Sequence, residues 1–279
     1  MSAGAALPSD PPRAARSVAA AWRRLARANA PEGRMGTSLL DGLPAPARRW
    51  TSTAVPEGTP LWGAVELHSR GEIRIGSWRP YVARQVLTTA GGFIWAATAR
   101  VAGLPVTGFD RYCDGSGEMR WKLLGLLPVM TGTGDDTTRS AAGRFAGEAV
   151  SLLPTAFSSA SWTDDSDGDP DVAVATVGAA GDDHEVRLRI DAEGSLRSVS
   201  LMRWGNPGGG AFGLHSFEVT VDDEERFEGV RLMSRFRAGW RTHPDQPVEE
   251  FFRAEITAAR FLGSSKASGG GAETRQVEP

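Results

Sequence analysis

Apolar and polar residues alternate along most of this chain, and a period of two places successive side chains on opposite faces of a β-strand. The alternation is clean at Val186, Leu188 and Ile190, which are separated by arginines. Short glycine-containing turns divide the runs, and such turns join antiparallel neighbours. The pattern predicts about eleven strands, at 61–75, 78–87, 92–101, 106–113, 118–130, 172–177, 185–190, 196–204, 212–221, 227–241 and 248–262.

One long helix interrupts the predicted strands. Apolar residues recur at helical spacing over 135–153, and Pro154 ends the segment. Gly143 and Gly147 lie one turn apart inside it. Because each glycine costs a helix roughly 1 kcal/mol relative to alanine, we expect a close approach to another backbone to compensate.

The residues before the first strand form a separate leader. The stretch 13–30 is rich in arginine, poor in acids and amphipathic, a pattern shared by organellar transit peptides and interfacial helices. Since arginine is the dominant base throughout the chain, a solvated leading helix is the simpler interpretation. A short helix over 44–54, anchored by Trp50, follows. The predicted organisation is a partly helical or disordered leader at 1–42, one domain at 43–262 and a disordered tail at 263–279.

The order of elements predicts a mainly β (α+β) architecture. A sheet of so many strands in meander order is too large to stay flat, because strand twist accumulates and curls it. We therefore expect a highly curved antiparallel sheet, or half-barrel, with the helix 135–153 lying across its concave side. Such a concavity is a natural site for an apolar ligand.

Composition and charge exclude several classes of partner and of site. The 279 residues carry a formal net charge of -3, which gives no field that would attract nucleic acid or an anionic membrane. Cys113 is the single cysteine, so paired-thiolate zinc sites and intrachain disulfides are excluded. No run approaches the ~20 apolar residues of a transmembrane segment, and no secretory signal is evident. We expect a cytoplasmic protein.

Three apparent motifs do not support a metal or a cofactor. The glycine-rich run 208–213 matches a dinucleotide fingerprint, but a strand follows it where a helix is needed. The aspartates of 164–171 suggest calcium, yet an EF-hand register from Asp165 has Pro170 at the glycine position and Thr176 at the glutamate position. The four histidines are scattered. We expect no metal and no cofactor.

A cluster of polar side chains is predicted where the helix crosses the sheet. Asp110 and Tyr112 share one face of a strand, and Arg144 and Glu148 share one face of the helix. If the helix covers that face, two carboxylates, a phenol and a guanidinium converge. The cluster could bind a polar head group or supply an acid and a base, or it could be an ion-paired strut between helix and sheet.

Alternation also separates cations from aromatic residues. Arg231, Arg235, Arg237 and Arg241 fall on one side of a strand, with Arg235 and Arg237 as candidates for an anionic head group. The simpler interpretation is an outer face paired with carboxylates such as Glu218 or Glu255. Other apolar-face residues are core or ligand-binding candidates, namely Phe93, Trp95, Met119, Trp121, Phe236 and Trp240.

Several short stretches resemble an uncharacterised bacterial family, frequent in actinobacteria and catalogued only as a domain of unknown function. They lie at 92–97, 108–112, 115–121, 139–144 and 204–207. The resemblance extends over roughly residues 43–262 and implies no activity. By topology alone, the order of elements is similar to the half-barrel of bacterial lipoprotein carriers and lipid-binding lipoproteins. No signal peptide and no lipobox cysteine are evident near residue 1, so we do not expect the periplasmic lipid transport of those exported carriers.

Three functions compete at this point. The leading hypothesis is a non-enzymatic binding protein that holds an apolar or amphipathic, lipid-like molecule between sheet and helix. The second is an enzyme that uses Asp110, Tyr112, Arg144 and Glu148 as an acid–base cluster in the same cleft. The third is a β-scaffold with a filled concavity that acts through protein contacts. A cavity, its polarity and its volume discriminate among them.

Overall fold

A computed structural model of the chain describes residues 10–27, 31, 33–243 and 245–263. Over these residues, thirteen strands form one antiparallel sheet. The strands are β1 Ala64–Ile75, β2 Ser77–Thr88, β3 Gly92–Val101, β4 Leu104–Cys113, β5 Ser116–Leu123, β6 Leu127–Gly132, β7 Ser161–Asp164, β8 Val172–Ala179, β9 Asp182–Ile190, β10 Leu196–Gly205, β11 Gly213–Phe227, β12 Val230–Arg241 and β13 Glu249–Phe261. The α-helices are α1 Ala19–Ala26, α2 Ala45–Ala54 and α3 Asp135–Ser151.

Two meanders joined at a central seam make up the sheet. Strands β1 to β6 follow one another outward in one direction, and β13 back to β7 follow in the other. Strands β1 and β13 pair antiparallel at the seam, with Val65 opposite Phe261. The sheet is open, because β6 and β7 are its two edges.

The position of α3 shows how strongly the sheet curves. This helix contacts β4 and β5 near one edge and also β8, β9 and β10 near the other. Those strands are far apart in the order of the sheet, so the sheet must wrap around the helix to bring them together. The predicted curved antiparallel sheet with a helix on its concave side is confirmed. Two acids in the first turn, Asp135 and Asp136, suit the positive end of the helix dipole.

On β1 to β4, side chains of the two faces enter two different cores. On β3, Phe93 and Trp95 belong to the core on the α3 side, whereas Ile94 and Ala96 belong to a smaller core on the outer face. Helix α2 packs on the α3 side through Trp50, as expected for its anchor. The period of two in the sequence thus supplies apolar surface to both faces of the sheet.

The outer core corrects the prediction of a solvated leading helix. Trp22 and Leu25 of α1 are buried against the sheet, with 0% and 4% of their surfaces exposed. The amphipathic pattern of the leader therefore reflects a helix whose apolar face covers the outer side of β1 to β3. None of the helices in the described ranges is both long and apolar enough to cross a membrane. The predicted disordered tail, apart from Gly263, lies outside the described residues.

Two strand predictions were wrong. The single strand expected at 118–130 is two, β5 and β6, because Leu124 and Gly125 form a turn at positive φ. The short strand β7 was missed and pairs with β8 from Ser161 opposite Thr176 to Asp164 opposite Ala173. The other predicted strands lie where they were expected, and their ends move by three residues or fewer, except that β11 extends to Phe227 and not only to residue 221.

A candidate ligand cavity beneath helix α3

A cavity of about 280 Å³ lies between α3 and the concave face of the sheet. Its walls come from both meanders, because β1 to β5 line one side and β10 to β13 the other. Most of the lining is apolar, including Leu67, Val199, Phe217, Val219, Phe236 and Trp240. The concave side of the sheet is therefore only partly filled by the helix.

Polar side chains line the same cavity where α3 crosses β4. Arg144 donates from Nε to Oε1 of Glu148 at 2.7 Å and from Nη1 to Oδ2 of Asp110 at 3.2 Å. The second oxygens are also occupied: Trp121 Nε1 donates to Oδ1 of Asp110 at 2.8 Å, and Gln85 Nε2 donates to Oε2 of Glu148 at 2.6 Å. One guanidinium thus joins the two carboxylates, and each carboxylate has a further donor.

Burial and charge act in opposite directions on this ion triad. Burial raises the pKa of the Asp110 carboxyl, and the positive charge of Arg144 and the Trp121 hydrogen bond only partly offset that effect. Burial also disfavours the charge on Arg144, but the Glu148 and Asp110 carboxylates outweigh it and raise the pKa of the guanidinium. Arg144 also lies over the rings of Phe93 and Trp95, at 4.6 and 5.1 Å from their centroids.

A second arginine of the cavity was not predicted from the sequence. Arg203 of β10 donates from Nε to the Ser140 carbonyl at 3.1 Å, and its guanidinium lies 4.9 Å and 5.2 Å from the ring centroids of Phe217 and Trp240. Burial and then the charge of Arg144 lower the pKa of Arg203 to about 10, which leaves the group protonated at neutral pH. The alternation along β10 could have revealed this arginine, because residues two apart share one face of a strand. Arg203 therefore lies on the same face as the buried residues Val199 and Leu201.

Tyr112 does not join the predicted polar cluster. Its hydroxyl accepts a hydrogen bond from the backbone N–H of Ala180 at 2.7 Å, and its ring stacks on Phe145 at 5.4 Å. The strand face was predicted correctly, but the phenol belongs to the packing between β4, α3 and the turn after β8. Asp110, Arg144 and Glu148 do come together.

Of the predicted apolar and cationic candidates, some line the cavity and others lie away from it. Trp95, Met119, Phe236 and Trp240 line the cavity. Phe93 lies behind Arg144, and Trp121 reaches the site through its bond to Asp110. Arg235 and Arg237 lie away from the cavity, where Asp223 pairs with Arg235 at 3.4 Å and Asp222 and Glu250 pair with Arg237. These pairs match the simpler interpretation of the cationic stripe as a carboxylate-paired face.

The residues considered for metal binding have other partners. Asp165 and Asp167 pair with Arg187, and Asp169 pairs with Arg189. Burial raises the pKa of the Cys113 thiol to about 11, so the thiolate form is disfavoured at neutral pH. In the part of the chain that the structure describes, no three His, Cys, Asp or Glu side chains are grouped closely enough to hold a metal ion.

Comparisons with known proteins place the chain in a family. A family model described as a family of unknown function, DUF6544, matches residues 33–254 and confirms the expected kind of family. No curated protein matches the chain.

Three solved structures are similar over much of the chain. A domain assigned as an outer membrane lipoprotein-sorting protein from Vibrio parahaemolyticus has 10% identity and a TM-score of 0.41, and the match covers 74% of this chain and 88% of that one. A LolA superfamily protein from Nitrosomonas europaea has 7% identity, a TM-score of 0.39 and coverages of 78% and 92%. A DUF1329 family protein from Desulfovibrio piger has 12% identity, a TM-score of 0.35 and coverages of 80% and 93%.

Proposed function

The chain belongs to the DUF6544 family, a family of unknown function, and we propose that it is a binding protein that holds an apolar or amphipathic small molecule beneath α3. The observation that carries this proposal is the cavity of about 280 Å³, whose walls are mostly apolar and include a group of polar side chains. Ligand pockets typically enclose ~300–1,000 Å³, so this volume suits a small ligand or a single medium-length chain. The predicted cytoplasmic location stays a prediction.

Binding fits the polar residues better than turnover does. Asp110 and Glu148 are both bonded to Arg144, and their remaining oxygens accept bonds from Trp121 and Gln85. A general acid or base needs a free proton site directed at the substrate. The phenol expected to complete the acid–base cluster is bonded to Ala180 instead. A filled scaffold is also disfavoured, because its concave side would leave no cavity.

Native mass spectrometry of the protein purified from its own host, combined with organic extraction, tests the proposal. We expect a stoichiometric apolar or amphipathic molecule to co-purify. The variant Ala254→Phe fills the cavity and should lose that molecule, because Ala254 lines it. The matched control is Val82→Phe, which adds the same ring at an exposed position and should retain the molecule. Folded protein that carries no such molecule and takes up none from a lipid extract would contradict the proposal.

One observation keeps an enzyme as the second candidate. Asp110 lines the cavity and has a pKa raised by burial, a property that general acids often share. The variant Asp110→Asn separates the two functions. A binding protein should retain its ligand almost unchanged, because asparagine can still accept the Trp121 hydrogen bond, whereas an enzyme that uses this carboxyl should lose turnover.

A further inference from the structure

Two arginines line the cavity, and they differ in their partners. Arg144 lies between the carboxylates of Asp110 and Glu148. Arg203 forms no ion pair with any carboxylate in the described part of the chain, and its hydrogen bonds go to Ser140 alone. The cavity thus contains one guanidinium whose positive charge has no contacting counter-ion.

From this arrangement we propose that Arg203 binds the anionic head group of the ligand, so that the ligand is an amphipathic anion such as a carboxylate or a phosphate monoester. The inference rests on the proposed binding function and adds the chemical class of the ligand. Guanidinium groups offer paired N–H donors that match the oxygens of both anions.

Contacts with Ser140 orient the Arg203 guanidinium and leave some of its N–H groups free to bind an anion. Its Nε is bonded to the Ser140 carbonyl at 3.1 Å, and its Nη2 lies 3.5 Å from the Ser140 hydroxyl. These contacts fix the plane of the guanidinium and use one edge of it. No hydrogen bond within the described residues uses Nη1, so N–H donors remain for a ligand. The group stays protonated at neutral pH, because its pKa is lowered only to about 10.

The surroundings favour an ion pair with a ligand over one with the protein. Phe217 and Trp240 flank the guanidinium, and apolar neighbours of this kind lower the local dielectric and strengthen an ion pair. Asp110 and Glu148 influence Arg203 through space but contact Arg144 instead. A half-buried charge without a counter-ion has lost part of its hydration, so an anion that arrives with an apolar body would offset that loss.

The cavity also offers apolar surface for the body of the ligand. Phe236, Met233 and Ile256 are apolar and line the same cavity as Arg203. A single alkyl chain attached to an anion at Arg203 would lie along these side chains. This arrangement distinguishes the proposed ligand from a neutral hydrocarbon, which would gain nothing from Arg203.

Isothermal titration of delipidated, folded protein with decanoate, decyl phosphate and 1-decanol tests the inference. The three probes share one chain and differ in the head group. We expect at least one of the anions to bind about tenfold or more tightly than decanol, as a charge-assisted pair desolvated in an apolar site should allow. Decanoate and decyl phosphate together identify which anion the site prefers, and a preference for either supports the inference.

Two variants make the test specific for Arg203. Arg203→Met keeps the apolar stem and removes the charge, so it should lose the preference for the anions and retain the affinity for decanol. Arg235→Met is the matched control, since Arg235 lies away from the cavity and is 62% exposed. It should leave all three affinities unchanged.

The outcomes separate this inference from the proposed function. If decanol binds wild-type protein as tightly as both anions, the inference is wrong and the binding function stands. The same holds if Arg203→Met binds the anions as wild type does. If Arg203→Met does not fold, the comparison of anions with decanol on wild type still decides whether the ligand is an anion, and Arg203→Lys, which keeps the charge but loses the paired donors, then tests the arginine by a weaker preference for the anions. If none of the probes and no lipid from an extract binds, the proposed function fails and the inference fails with it.

Discussion

Gly143 of α3 lies against the side chain of Arg203: a Cβ atom at this glycine would be 3.0 Å from Cγ of the arginine. One helical turn later, a Cβ at Gly147 would be 3.7 Å from Leu201 Cδ2, which is an ordinary contact. Helix α3 therefore approaches β10 closely at only the first of these two glycines. The close approach expected from the sequence exists, but its partner is an arginine side chain and not a backbone.

These distances predict opposite results for two alanine substitutions. Gly147→Ala should stabilise the protein by about 0.5 to 1 kcal/mol, because alanine fits and favours a helix. Gly143→Ala should bring no gain, because the stem of Arg203 must move to make room. Urea unfolding of both variants measures the difference. Equal stabilisation by the two substitutions would contradict the contact between Gly143 and Arg203.

Ionisation of Asp110 should lower the free energy of unfolding as the pH rises. Burial raises its pKa above the ordinary value of 3.8 in the folded protein. The folded state therefore binds this proton more tightly than the unfolded state, so the stability that it contributes is present below 3.8 and is lost as the pH rises through the raised pKa. Asp110→Asn removes the titration.

Urea unfolding of wild type and Asp110→Asn from pH 3.5 to pH 7.5 measures this effect. The free energy of unfolding of wild type relative to the variant should fall as the pH rises and then level off. Other acids have pKa values that are lowered in the folded protein, such as Asp169 and Glu255. Their contributions to the pH dependence are the same in both proteins and cancel in the difference. A difference that rises with pH would show that Arg144 stabilises the carboxylate more than burial destabilises it.

Tyr112 should act in stability and not in ligand binding. Its hydroxyl accepts the N–H of Ala180, a residue at φ 54° in the turn between β8 and β9. Tyr112→Phe removes that acceptor and should cost about 1 kcal/mol. Native mass spectrometry should show the same bound molecule at the same occupancy as in wild type. A loss of the bound molecule from a folded Tyr112→Phe variant would show that the phenol does contribute to ligand binding.

Local periodicity was sufficient for most of the fold. Strand β3 runs from Gly92 to Val101 as predicted, because turn residues bound it on both sides. The turn at Leu124 and Gly125 was missed because leucines flank its glycine, so the apolar run continues through it. Strand β7 has only four residues, too few to display a period.

The site was predictable only where its parts lie on regular elements. The contact between Asp110 and Arg144 could be predicted from the sequence, because side chains repeat with a fixed period on a strand face and on a helix face. Arg203 reaches the cavity from β10, which is distant from β4 in the sheet and meets it only through the curvature around α3. That curvature depends on accumulated twist, which no short stretch of sequence encodes.

A buried carboxylate links the two meanders on the outer face of the sheet. Glu66 of β1 is fully buried, and it accepts hydrogen bonds from Arg84 of β2 at 2.5 Å and from Arg260 of β13 at 3.0 Å. Arg84 in turn lies 5.5 Å from the ring centroid of Trp22 in α1. The same ion cluster therefore supports the seam of the sheet and the helix that covers it.

Removing this carboxylate should be among the most damaging single changes. Glu66→Gln leaves two arginines without their shared negative charge and should lower the free energy of unfolding by about 3 kcal/mol, as breaking a buried ion pair does. The matched control is Glu255→Gln, which breaks the exposed pair with Arg70 across the same two central strands and should cost less than about 1 kcal/mol. Urea unfolding followed by tryptophan fluorescence measures both losses. Equal losses in the two variants would mean that water screens Glu66 as well as it screens Glu255, and the buried cluster would then contribute nothing particular to the seam.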